Sequence, residues 1–324
     1  GKVSEARPFL KSAQRIRPSS YGNGYDLAMA DFMTGHLDEA RQTVESLLQR
    51  KNTGELHNLL AQIDAKDGKY VNAANEFGMA AHLDPSEDNL FDWGCELLLH
   101  RTYEPAIEVF RQATLRYPAS ARLQIGLGIV LYSRGIYDKA VKALLAAVDL
   151  DPSDPRCYLF LSKAYNSSPG EADEVIQRFR RYSEREPNNA LAQYYYAMSL
   201  WKGKRDEGSG LNIQTIESLL KKSAALDGKL SETHMQLGNL YAEQHQYNDS
   251  ISEYVRTLNL NPDLPDAHYR LGTDYVHVGQ KDRAQKEFAI YEKLRTQHMA
   301  ERDKETSAVQ QFVYSSKDVH LAGP

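Results

Sequence analysis

At 324 residues the chain is long for one compact core, so it must either split into domains or grow by repetition. Its 41% hydrophobic and 26% charged residues are those of an ordinary soluble protein, and no run of about 18 apolar residues exists to span a bilayer. A formal charge of −5 supplies no global attraction for nucleic acid or an anionic membrane.

Taken in order, residues 1–20 read as the second helix of a pair whose first helix is absent, with Ala6, Leu10 and Ala13 on the packing face. That reading leaves room for a targeting segment upstream; the sequence itself favours a soluble protein of the cytoplasm. Helix pairs follow at 21–53, 54–86, 87–120, 121–154, 155–188, 189–230, 231–264 and 265–298. A helical extension and tail occupy 299–324. The pair at 121–154 shows the pattern best. Leu127, Gly128 and Leu131 mark a face of its first helix, and Ala140, Leu144 and Ala147 mark one of its second, all at helical spacing. Gly135 suits the turn because it tolerates positive φ. Pro152 ends the second helix by disfavouring helix at the residue before it.

Three ladders repeat in phase. A small residue in the first helix recurs as Ala28, Ala61, Gly94, Gly128, Ser162, Ala197, Gly238 and Gly272. Near the start of the second helix run Ala40, Ala73, Ala106 and Ala140, then Ile216, Ser250 and Ala284. A terminating proline recurs at Pro18, Pro85, Pro118, Pro152, Pro187 and Pro262. This pattern resembles the tetratricopeptide repeat (TPR), a helix-turn-helix unit of about 34 residues, over about residues 1–298. The resemblance implies an all-α fold, a right-handed superhelical solenoid of about eight repeats.

Two pairs depart from the pattern. In 155–188 the turn Ser167-Ser168-Pro169-Gly170 is one residue longer than the pattern, and the second helix carries Arg178, Arg181 and Arg185 among Glu184 and Glu186. A solvated, salt-bridged face is the expectation there. The pair at 189–230 holds the insertion KGKRDEGSGLN between its helices, either a solvated excursion or a flap that touches a partner. At the end, Val309, Phe312 and Val313 either fold back to cover the last repeat or dock on a second copy of the chain.

The search for chemistry returns little. There is no P-loop, GxGxxG, GxSxG or HExxH, so neither an enzyme nor a bound cofactor is expected. His57, His234 and His268 share one position in their repeats and read as imidazoles packed between helices with one hydrogen bond; no cysteine or further histidine completes a zinc set. Cys95 and Cys157 are too few for a disulfide framework and read as small packing residues. No basic stripe recurs from repeat to repeat, which argues against RNA.

In the TPR family the concave face is lined mainly by the first helix of each repeat. Carried over by position, that face holds Phe91, then Arg122, Ile125, Ile129 and Tyr132. It continues with Arg156, Leu159 and Lys163, and then Tyr194, Tyr195, Met198, Trp201 and Lys202. A surface this apolar and aromatic marks an interaction site, with the arginines and lysines placed to pair with carboxylates on a peptide. The set that holds a chaperone tail in some TPR proteins is not assembled: Asn239 and Arg270 fall at suitable positions, but Met235 stands where lysine is expected. The expectation is a non-catalytic scaffold that binds a protein or peptide segment in its groove. Self-association through the tail, or service as the regulatory part of a larger enzyme, are the competing readings.

Overall fold

The computed structural model describes residues 2–168, 171–203 and 213–297, and every regular element among them is a helix. The chain divides into two compact units that part between Gly135 and Ile136. The first contains α1 (Lys2–Ile16), α2 (Tyr21–Met33), α3 (Leu37–Leu48), α4 (Gly54–Lys66), α5 (Tyr70–Leu83), α6 (Glu87–Leu99), α7 (Tyr103–Arg116) and α8 (Ala121–Ser133). The second contains α9 (Tyr137–Leu150), α10 (Pro155–Ser167), α11 (Ala172–Arg185), α12 (Ala190–Gly203), α13 (Ile213–Leu226), α14 (Ser231–Glu243), α15 (Tyr247–Leu260), α16 (Pro265–His277) and α17 (281–297). The turn at Pro169-Gly170, most of the insertion and the tail with Val309, Phe312 and Val313 lie outside the described residues.

Local chemistry sets the helix ends. In the first unit the even-numbered helices begin at Ser20, Thr53, Ser86 and Ser120, whose hydroxyls accept the backbone N–H three residues on. The helices that follow use no side-chain cap. Instead the chain passes through a left-handed residue, as at Gly35 (φ 83°) and Gly135 (φ 85°). The next N–H then returns to a carbonyl of the last helical turn, His36 to Asp31 and Lys69 to Asp64, both at 2.8 Å.

Packing between helices rests on matching a ring to a missing side chain. A Cβ added at Gly94 would stand 2.6 Å from the Phe110 ring, at Gly238 2.6 Å from Tyr254, and at Gly272 2.7 Å from Phe288. At Ala28 the residue in the corresponding place of the core is the smaller Val44, whereas Ala61 still shares its cluster with the ring of Phe77. Phe110 is held on a second side by Gly126, a close approach that the ladder of small residues does not contain.

Charge stitches successive pairs of the first unit. Arg7 on α1 pairs with buried Asp31 on α2, and Arg41 on α3 with buried Asp64 on α4. The three histidines make more than one bond each. Nδ1 lies 2.5 Å from Glu76 for His57, 2.6 Å from Glu253 for His234 and 2.6 Å from Glu287 for His268. Nε2 of these rings lies 2.6 Å from Asn52 Oδ1, 3.3 Å from the Gly228 carbonyl and 2.9 Å from the Pro262 carbonyl, respectively. Each imidazole thus ties the two helices of its pair.

One buried carboxylate in the first unit is poorly served. Glu96 is 5% exposed, with His100 Nε2 at 3.2 Å, and burial raises its pKa while lowering that of His100. A raised carboxyl pKa means the folded state disfavours the charge, so stability falls as pH climbs past the unfolded value of about 4.3. Glu96→Gln is therefore expected to unfold at higher urea than wild type at pH 7. That advantage should vanish below about pH 4, where both chains carry a neutral side chain. Equal midpoints at pH 7 would show that the charge is accommodated.

Candidate functional site

The site grows out of the irregular pair α10–α11. At the second-helix position held elsewhere by Ala40, Ala73, Ala106 and Ala140 stands Val175, and large rings fill the space around it. Tyr158 stacks on Tyr182 with centroids 3.8 Å apart, Phe179 lies 6.2 Å from Tyr158 and 5.6 Å from Tyr195, and Tyr165 is fully buried. These volumes hold α10 and α11 farther apart than the helices of the regular pairs. The gap in the alanine ladder between Ala140 and Ile216 was the visible sign of this.

Two adjoining cavities open along α10, α12 and α14. The larger, about 520 Å³, has apolar walls of Leu159, Leu191, Tyr194, Tyr195 and Leu230, with Arg156, Lys163 and Glu232 also in the lining. The smaller, about 300 Å³, is lined by Met198, Trp201, Lys202, Gln236, Asn239, Glu243 and Arg270. Asn166 borders both. Arg156, Leu159, Lys163, Tyr194, Tyr195, Met198, Trp201 and Lys202 are thus brought to one continuous lining. Leu191, Leu230 and the Gln236–Asn239 edge belong to it too, although the positional carry-over passed over Leu191, Leu230 and Gln236.

Several positions differ from the surface roles expected of them. Tyr195 is only 6% exposed and shows the cavity no more than an edge, since it packs on Phe179. Burial also pushes the Tyr194 phenol far above its usual range, helped by Glu232, so it remains a neutral hydroxyl. Arg156 is already engaged: its Nε and Nη2 donate to Asp154, the N-cap of α10. Lys202 donates to the Asn166 carbonyl, and Lys163 lies 5.7 Å over the Phe160 ring. Asn239 is fixed by accepting from the Tyr254 hydroxyl at 2.7 Å while donating to Gln236 at 3.0 Å.

In the first unit the expected residues are more deeply committed to structure. Phe91 packs against Phe110 at 6.3 Å and carries the Arg122 guanidinium 5.1 Å above its ring. Arg122 itself pairs with Glu87 and Asp88, both at 2.5 Å, so it is not a free partner for a peptide carboxylate. Ile125 is buried, because it lies on the inner side of α8; Ile129 and Tyr132 are half-buried.

Sequence models of the tetratricopeptide repeat match residues 1–63 and 91–155, and a third, described as TPR repeat, matches 238–276, together a little over half of the chain. The chain belongs to the tetratricopeptide repeat family. Among curated proteins it is similar to the TPR repeat-containing protein YpiA of Bacillus subtilis, 26% identical over 189 residues, which is 57% of this chain and 42% of YpiA. It is also similar to the TPR repeat-containing protein YvcD of the same organism, 30% identical over 82 residues, 25% of this chain and 17% of YvcD. The chain therefore spans less than half the length of either relative. Among solved structures, the C-terminal part of a TPR repeat-containing protein from Cytophaga hutchinsonii superposes with a TM-score of 0.57 at 17% identity, covering 76% of this chain and 99% of that one. At that identity the likeness speaks for the TPR fold alone. No helix among the described residues is long and apolar enough to cross a membrane.

Proposed function

We propose that this TPR chain is a non-catalytic scaffold that holds a segment of a partner protein along α10, α12 and α14. The observation that carries the reading is the pair of adjoining cavities. One is large and apolar enough to bury a bulky side chain, and the next offers fixed amides and cations to the partner's backbone or an acidic side chain. Most of the binding energy would come from desolvating Leu159, Tyr194 and Trp201, since aromatic anchors in pockets dominate such interfaces.

The test begins with selection of peptides from a displayed random library on the purified chain, followed by titration of the selected peptides in solution. Leu159→Asp and Trp201→Ala are each expected to weaken binding by tenfold or more, as about 2 kcal/mol per anchor implies. Selected peptides should share a large apolar residue. Peptides that bind both variants as tightly as wild type would place the function on another surface.

A further inference from the structure

The spread of α10 from α11 also opens a third hollow, bounded by α9, α10 and α11. Its volume is about 260 Å³, with Val148, Pro152 and Tyr158 as an apolar lining. Three guanidinium groups complete it, Arg178, Arg181 and Arg185. They recur along α11 at spacings that place them on one helix face.

Two of the three are held in place. Arg178 donates through Nε and Nη2 to both oxygens of Asp149, at 3.1 and 2.9 Å. Arg185 donates to the Pro152 carbonyl and lies 5.6 Å over the ring of Tyr182, which is stacked on Tyr158. The Tyr158 hydroxyl donates to that same Pro152 carbonyl at 3.0 Å. Arg181 is exposed and has no ion pair or hydrogen bond among the described residues. Nearby carboxylates do not balance the set. Glu184 is engaged by Arg180 at 2.9 Å, and Glu186 approaches only Arg185, at 3.6 Å. Asp149 is the one anion in the lining, and with Glu186 beside Arg185 it leaves Arg181 as the one guanidinium of the three without a carboxylate among the described residues.

We propose that this hollow binds a phosphate monoester, either free or carried on a polypeptide side chain. A carboxylate would offer only two acceptor oxygens to the donors of three guanidinium groups. A phosphate monoester carries about −1.5 to −2 near neutral pH and presents three acceptor oxygens, which suits the remaining N–H donors of the three guanidinium forks. Arg178 and Arg185 are positioned before the ligand arrives, so little ordering is required of them. Arg181, with no ion pair or hydrogen bond among the described residues, completes the clamp. Of the three arginines expected on a solvated, salt-bridged face, Arg178 pairs with Asp149 and Arg185 with Glu186, whereas Arg181 has no such pair among the described residues.

The test is a calorimetric titration of the whole chain with three probes: inorganic phosphate, a short phosphoserine peptide, and the same peptide with glutamate in place of phosphoserine. Wild type should bind both phosphate probes saturably and the glutamate peptide about tenfold more weakly or not at all. Arg181→Gln should lose about tenfold or more for both phosphate probes. Lys222→Gln, which removes an exposed charge on α13, should change nothing. Tighter binding of the phosphopeptide than of phosphate would assign the ligand to a modified polypeptide; equal binding would assign it to a free phosphate compound. The proposal fails if neither phosphate probe saturates, or if Arg181→Gln and Lys222→Gln weaken binding equally. Because Arg181 is exposed, unchanged thermal melting of the variant is expected, and it separates lost binding from lost folding.

Discussion

Phe110→Ala is expected to lower the stability of the first unit by about 4 kcal/mol, in the middle of the range for truncating a buried ring. The side chain is fully buried and belongs to the cluster of Leu90, Leu97, Leu123 and Val130. Gly94 and Gly126 face the ring from two helices, and neither has a side chain with which to fill the space it would leave. Collapse would require α6 and α8 to move toward α7, against their own packing. Gly126→Val tests the same fit from the other side, since its new Cβ would fall inside the ring's contact distance. That overpacking is expected to cost about 3 kcal/mol. Urea unfolding followed by helical circular dichroism measures both, read at the transition of the first unit because repeats need not unfold as one. A loss below about 1 kcal/mol for Phe110→Ala would mean that the site relaxes freely.

Arg41→Met is expected to cost about 3–5 kcal/mol, although it removes only one member of an ion pair. Asp64 is 2% exposed, and Arg41 is the cation that reaches it, while also donating to Asp67 at 3.1 Å. Without the guanidinium a carboxylate is left in the interior with its charge uncompensated. The pair itself is a different matter, because desolvating both ions offsets most of their attraction. The double variant Arg41→Met/Asp64→Leu should therefore recover most of the loss. Denaturant midpoints of wild type, both single variants and the double variant close the cycle. A double variant no more stable than Arg41→Met would show that the pair is a net source of stability and overturn this account.

Much of the helical pattern was legible because its causes are local. The left-handed turn at Gly135 and the small residues Gly94, Gly238 and Gly272 act within one helix pair, and their spacing can be counted along the chain. The capping hydroxyls of Ser20, Thr53, Ser86 and Ser120 are as local, but periodicity alone does not single them out. The histidines were less legible: their shared register was visible, but the glutamates that meet Nδ1 lie in the other helix of the pair, and their constant spacing of 19 residues from the histidines gains meaning only once the two helices are placed side by side.

The candidate surface was legible only in part. Positional carry-over collected Leu159, Tyr194, Trp201 and Lys202 on one lining, yet it counted Ile125 and Tyr195 as surface and Arg122 and Arg156 as free cations. Whether a charge is free depends on which carboxylate the neighbouring helix brings alongside, and that is a distance across the fold. The sequence by itself determined that this protein is built of repeated helix pairs, where those pairs turn and where they break pattern. Only the tertiary structure decided that the break at Val175 and its surrounding rings would open cavities, and that Arg181 would be left without a partner in one of them. Periodicity is written one residue at a time, whereas a cavity is the space remaining after many side-chain volumes have been added together.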